Sequence, residues 1–460
     1  MTPVVIAPAG EASPASALTS TNPSSAGGPE HEFLFSLSFI SPELCWEDES
    51  LCYFVHQHII PSSPDLPFPG HLDFLPDLYI GSDEDSCIRP AMQATAYLSF
   101  SYFSKSTSLR IKARGAYLAA LNSVNRAMHS GECVEMDETL SAIMLLSLFE
   151  DMNMERTSTR NSHVPGMLHL LRARGKRSLK NMRDLSLFGW VFTQVLIDFF
   201  LTGSLGFNSE WFPDCWNPDD YTVRAAQITN KVGKFAQVAK ETCKRVDEFV
   251  HEARYESARQ LLLETIWDAI MIQNELDAWT QSLPSEWTGR PILNSCNPPI
   301  SAGHTSRVAH RSKLPTCFWA LIQSCLIYFY TGTTTCCKRL LCLELPESSP
   351  EKKLVTTTAT LAMANIEKLL SDICGSIHIL FGEARQHGCS QPNPRCTTAS
   401  GYLLMWPLNL VTRCQISTAE QRSACEEVLR RIGSMMGLKI ASMAAERGLP
   451  SDGKRVRYGV

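Results

Sequence analysis

Six basic side chains, Arg172, Arg174, Lys176, Arg177, Lys180 and Arg183, fall inside one twelve-residue window of the chain. Guanidinium and ammonium groups at that density can contact phosphates or act as a nuclear-import signal. The alternative is a basic turn joining two helices, its cations facing the last carbonyls of a helix that stops near Gly175. Charge runs of this kind are more often solvated faces than sites. A second, smaller group, Lys454, Arg455 and Arg457, makes 447–460 a basic C-terminal tail. No chain-wide field reinforces either cluster. Lys and Arg total 42 against 47 Asp and Glu, a formal charge of −5, so any nucleic-acid contact would have to be local.

Other chemistries lack their usual residues. Asp83-Glu84-Asp85 is the nearest approach to a magnesium-binding carboxylate cluster, but without a further spaced carboxylate it reads as an exposed acidic turn. His251-Glu252 has no second His one helical turn on, so the paired imidazoles of a zinc peptidase are missing. Neither a phosphate-cradling glycine loop nor a G-x-S-x-G nucleophile turn is present. The 17 cysteines, an odd number running from Cys45 to Cys425, read as reduced, intracellular thiols. Cys45 and Cys52, and Cys389 and Cys396, are seven apart, while Cys336, Cys337 and Cys342 gather at a helix end. Structural zinc uses tighter knuckles. No catalytic residue, cofactor site or metal ligand emerges, so a non-enzymatic protein is expected, with an all-α enzyme using an apolar cavity as the competing class.

The elements that carry these residues follow from composition and periodicity. With 460 residues, 44% hydrophobic and 19% charged, the chain can bury a large core. Residues 1–30, dominated by Ala, Ser, Pro, Gly and Thr with no aromatic side chain, predict a disordered tail. The folded region is expected over 31–446. Its first part is divided by Pro42, Pro61, Pro64, Pro67, Pro69 and Pro76, leaving room only for short helices such as Trp46 to Ile60. From Ala91 on, apolar residues recur three and four apart, which predicts an all-α, multi-helix bundle. Helices are expected over Met92 to Phe103, Leu109 to His129, Met136 to Met154 with Asp137 as N-cap, Leu185 to Leu201, Thr222 to Leu283 with an interruption, Phe318 to Leu343 and Glu351 to Phe381. A Ser417–Glu420 capping box should open a closing helix that carries Cys425, Val428, Leu429, Ile432, Met435 and Met436 on one face. The proline-rich stretch 284–315 predicts a long loop. Leu187 to Phe207 and Cys317 to Tyr330 approach membrane-span length, but the first contains Gln194 and Asp198 and the second is too short, so no membrane is expected. Met1 to Gly10 lack Lys and Arg and are broken by Pro3 and Pro8, unlike a secretory or mitochondrial leader.

Four segments together resemble a known family. Asp137-Glu138-Thr139-Leu140 leading into Leu145-Leu146-Ser147-Leu148-Phe149-Glu150, then His163-Val164-Pro165-Gly166 leading into Leu170-Leu171-Arg172-Ala173-Arg174-Gly175, resemble signatures of the fungal-specific transcription factor domain. That domain is the large helical regulatory region of zinc-cluster transcription factors. Leu276 and Trp279 before Leu283-Pro284-Ser285-Glu286-Trp287, and Tyr402-Leu403-Leu404-Met405-Trp406-Pro407, look like its later Trp-Pro segments. The resemblance implies a nuclear, pathway-specific transcriptional regulator of secondary-metabolite or nutrient-use genes. It also implies other transcription factors or co-regulators as partners, or a homodimer. The family's N-terminal six-cysteine DNA reader is not matched, because no cysteine precedes Cys45. DNA would then be reached only through a partner or a segment missing from this chain. In physical terms Gly175 suits a left-handed helix end, Trp279 and Trp287 flank Pro284, and Trp406 before Pro407 should anchor a helix end.

Overall fold

The structure is a computed structural model that describes residues 45–62, 70–130, 137–153, 163–174, 181–202, 221–283, 313–343, 346, 349–377 and 397–447. The expected tail at 1–30, residues 448–460 of the expected tail at 447–460 and residues 284–312 of the expected loop lie outside these, whereas Arg447 is the last helical residue among those described. Among the described residues the chain is all-α, its one β-type contact being an isolated antiparallel bridge between Ile60 and His71.

The first helices are α1 (Trp46–His58), α2 (Leu75–Gly81), α3 (Ile88–Ser104), α4 (Thr107–Ser130) and α5 (Asp137–Asn153). Then come α6 (Val164–Arg174), α7 (Met182–Thr202), α8 (Tyr221–His251) and α9 (Tyr255–Ser282). The last are α10 (Lys313–Leu341), α11 (Pro350–Gly375), α12 (Thr397–Arg413), α13 (Ala419–Met436) and α14 (Lys439–Arg447). Two helices organise the packing. Helix α5 meets α3, α4, α6, α7 and α14, while α10 meets α8, α9, α11 and α12.

The α5 sequence explains its place. Of its 17 residues 13 are buried, so the helix presents no wet face and can only exist inside a bundle. Fully burying each Leu or Ile is worth about 1.5–3 kcal/mol. Helix α10 is similar: Leu314–Leu341 is long and apolar enough to cross a membrane, and 83% of its most apolar window is buried within the protein. Ser324 and Thr333, both buried, and the part-buried Thr331 and Thr335 each donate to the carbonyl four residues back.

Backbone turns set the remaining geometry. The expected interruption of the longest helix falls at Ala253, in the left-handed region at φ 57° between α8 and α9. Gly437 ends α13 at φ 70°, a conformation that costs an L-residue free energy. A Cβ there would also lie 2.7 Å from the Tyr102 Cβ. The following turn folds α14 back so closely that a Cβ on Gly433 would meet the Ser442 Oγ at 1.9 Å.

Several expected boundaries move. The capping box is Thr418–Gln421, each side chain bonded to the other's backbone, rather than Ser417–Glu420. Asp137 is the first residue of α5 instead of its cap. Pro315 lies in the first turn of α10, where its missing N–H costs nothing. The apolar run at Cys317 to Tyr330 is part of this 29-residue helix, and so longer than the sequence window suggested. Helix α11 ends at Gly375, and the expected end at Phe381 lies outside the described residues. The clearest correction is at Trp406-Pro407. Helix α12 runs straight through Pro407, because Leu403, Leu404, Met405, Trp406 and Leu408 are all buried and that burial outweighs one lost backbone bond.

Candidate functional site

The basic cluster does not act as one group. Arg174, in the last turn of α6, has a side chain only 9% exposed. Its Nη2 donates to Asp137 Oδ1 at 2.5 Å and to Asp184 Oδ1 at 3.2 Å. Arg183 lies 3.7 Å from the other oxygen of Asp137. Arg172 is exposed, and Lys176, Arg177 and Lys180 lie outside the described residues. A guanidinium neutralised by two carboxylates is a poor phosphate ligand. Asp137 and Asp184 stand in the first turns of α5 and α7, where negative charge suits the helix dipole, and Arg174 suits the opposite end of α6.

The other end of α5 repeats the device. Glu150 Oε1 accepts from His163 Nε2 at 2.7 Å and from the Tyr117 hydroxyl at 2.8 Å. Burial, and then the Glu150 carboxylate beside it, push the Tyr117 phenol above its usual range. Helices α5 and α6 are thus antiparallel and pinned at both ends, Asp137 to Arg174 and Glu150 to His163. The two pinned helices carry the first two of the four segments singled out in the sequence.

A third set of contacts was not anticipated from the sequence. The Tyr402 hydroxyl donates to Asp151 Oδ2 at 2.7 Å and accepts from Gln194 Nε2 at 2.8 Å. Ser147 Oγ reaches Gln194 Oε1 at 3.4 Å. The Trp190 ring stacks on Tyr402 with centroids 5.7 Å apart, and the His71 ring lies 5.0 Å from that of Trp190. This joins α5, α7 and α12 through groups that are 0–1% exposed at Asp151, Gln194 and Tyr402. Polar residues in otherwise apolar runs, Asp151 in α5 and Gln194 in α7, were the available signal.

A carboxylate bonded to a phenol could in principle exchange a proton with a substrate, but such a group must be within reach of one. The recess beside Trp190, lined by His71, Ser186, Thr193, Phe318 and Leu403 among others, offers about 20 Å³, where one water needs about 10–15 Å³. Shared by α5, α7 and α12 and shut off from solvent, the network holds these helices in register. Beside it, exclusion of water lowers both His58 and His71 to about 3, so both rings are neutral. His58 is hydrogen-bonded to the Ser99 hydroxyl at 2.9 Å and stacked on Phe54.

The remaining sequence candidates are dispersed. Asp83, Glu84 and Asp85 are exposed in the turn after α2, and His251 and Glu252 are exposed at the end of α8. Cys45, Cys52 and Cys342 are exposed, whereas Cys336 and Cys337 are buried. Cys389 and Cys396 lie outside the described residues. Trp279 is buried against Trp319, centroids 5.8 Å apart, and Gly175 and Trp287 lie outside the described residues. Among the described residues, no three His, Cys, Asp or Glu side chains converge as a metal ion would require. No protein-family model, curated protein or solved structure matches the chain.

Proposed function

We propose that the chain is a nuclear transcriptional regulator of fungal type, its helical domain binding other regulators or co-regulators rather than reading bases itself. The observation that carries this reading is the ordered set of four segments in the sequence. Its support in the fold is that three of them have a joint physical purpose: the first two form the clamped α5–α6 hairpin, and Tyr402 of the fourth bonds to α5. Deleting the gene and profiling transcripts under inducing conditions should change a defined gene set, and an unchanged profile would overturn the reading.

The import reading of the basic cluster survives only without Arg174. Replacing Arg172, Lys176, Arg177 and Lys180 by Ala while keeping Arg174 should abolish nuclear accumulation of a fluorescent fusion. A variant that stays nuclear leaves the cluster as a solvated turn.

A further inference from the structure

Two pairs of cysteines meet across helix interfaces. Cys374, in the last turn of α11, lies 3.8 Å from Cys425 on α13, sulfur to sulfur. Cys243 on α8 lies 4.0 Å from Cys336 on α10. All four are free thiols. A disulfide needs about 2.05 Å between sulfurs and side chains that already point at each other, so contact distance is the first requirement and both pairs meet it.

Access separates them. Cys243 and Cys336 are both buried, in an interface sealed where Arg339 pairs with Asp247 and donates to the Cys243 carbonyl at 3.2 Å. Cys425 is fully buried, but Cys374 is part-exposed at the edge of the core. A small oxidant can therefore reach one sulfur of this pair while the second waits behind it. We propose that Cys374 and Cys425 form a peroxide-oxidisable dithiol, with Cys374 the attacking sulfur and Cys425 the resolving one.

The electronic asymmetry has the same direction. The contact between the two thiols holds Cys374 below the usual thiol range, and the same contact, with burial, raises Cys425. The thiolate is the nucleophile in such chemistry. In the first step the Cys374 thiolate attacks a hydroperoxide oxygen, the O–O bond breaks, an S–O bond forms, and the departing hydroxide or alkoxide takes up the proton Cys374 released. In the second, the Cys425 sulfur attacks the sulfenic sulfur, the S–O bond breaks, and water leaves with the Cys425 proton. Two thiols lose two electrons and the hydroperoxide is reduced by two. In a reducing compartment such a disulfide is transient and signals oxidant load. This chemistry does not depend on the transcriptional reading.

The test uses the full-length reduced chain treated with hydrogen peroxide, quenched with N-ethylmaleimide and digested with trypsin without reductant. Cys374 and Cys425 fall on separate peptides, 369–385 and 423–430, each with no other cysteine. The expected result is their disulfide-linked product, lost on adding dithiothreitol, with Cys243 and Cys336 unlinked. Cys425→Ser should abolish the link and raise dimedone labelling of Cys374 several-fold above wild type. Free, alkylated Cys374 and Cys425 after other cysteines have oxidised, a Cys243–Cys336 link formed first, or no dimedone gain in a folded Cys425→Ser would each overturn the proposal. The wild-type digest decides alone if the variant fails to fold.

Discussion

The carboxylates of α5 sit in two different settings. Asp151 is fully enclosed and meets Tyr402 inside the core, with Gln194 and Ser147 completing the chain of bonds. Asp137 and Glu150 lie at the helix ends, their side chains 21% and 13% exposed, facing Arg174 and His163. The bonds have similar lengths, so geometry alone does not rank them. Solvent does. A group that loses its partner at the rim is rescued in part by water, whereas one in the interior keeps the whole desolvation cost. The interior contacts therefore decide stability, and the rim contacts decide how α6 and α7 enter the bundle.

Substitutions on the two sides break the comparison most directly. Tyr402→Phe keeps the ring on Trp190 and removes only the hydroxyl, and should cost about 2–3 kcal/mol, read as a lower urea midpoint at unchanged slope. Arg174→Ala leaves Asp137, which keeps water and Arg183, beside the buried Asp184, which keeps the N-terminal end of α7, and should cost about 1–2 kcal/mol. Arg174→Lys should recover part of that, because an ammonium cannot fork between two carboxylates. If Arg174→Ala costs more than Tyr402→Phe, the ranking by solvent is wrong.

Acid sharpens the contrast. His58 binds a proton near 6.5 when unfolded but only near 3 when folded, so protons favour the unfolded chain between these values. Its contribution is intact above pH 6.5 and is lost as pH falls toward 3, by about 1 kcal/mol between pH 6.5 and 5.5. His71 acts in the same direction. Denaturation midpoints measured at pH 7.5, 6.5 and 5.5 should fall at the last step, and His58→Gln should flatten that fall. The smallest effect is expected at the rim: Tyr117→Phe leaves Glu150 with His163 and should cost about 0.5–1 kcal/mol, measured in the same urea series.

Local regularities were legible in the chain. The all-α class, the burial of α5 and the apolar face of α13, except for Met435, which is 65% exposed, follow from apolar spacing, which acts over three or four residues. Ambiguities arose where two local rules were both satisfied. Ser417 and Thr418 each have a Glu or Gln three residues on, and in the fold Thr418 is the one that caps. At Pro407 the local rule for proline predicts an end, and burial on every side of α12 overrides it. Of the basic cluster, the position of each charge was visible, but that Arg174 is already occupied by Asp137 and Asp184 was not.

Helix type and helix faces are thus properties of the sequence itself, because the hydrogen bonds and side-chain neighbours that set them are at most four residues away. Which polar groups are dry, which thiols touch and which cation is neutralised were decided by tertiary structure. Asp151 and Tyr402 are 251 residues apart, and Cys374 and Cys425 are 51 apart. The free energy of a charge or a thiol depends on the water and partners that the fold places within a few ångströms, and a one-dimensional order of residues does not contain those distances.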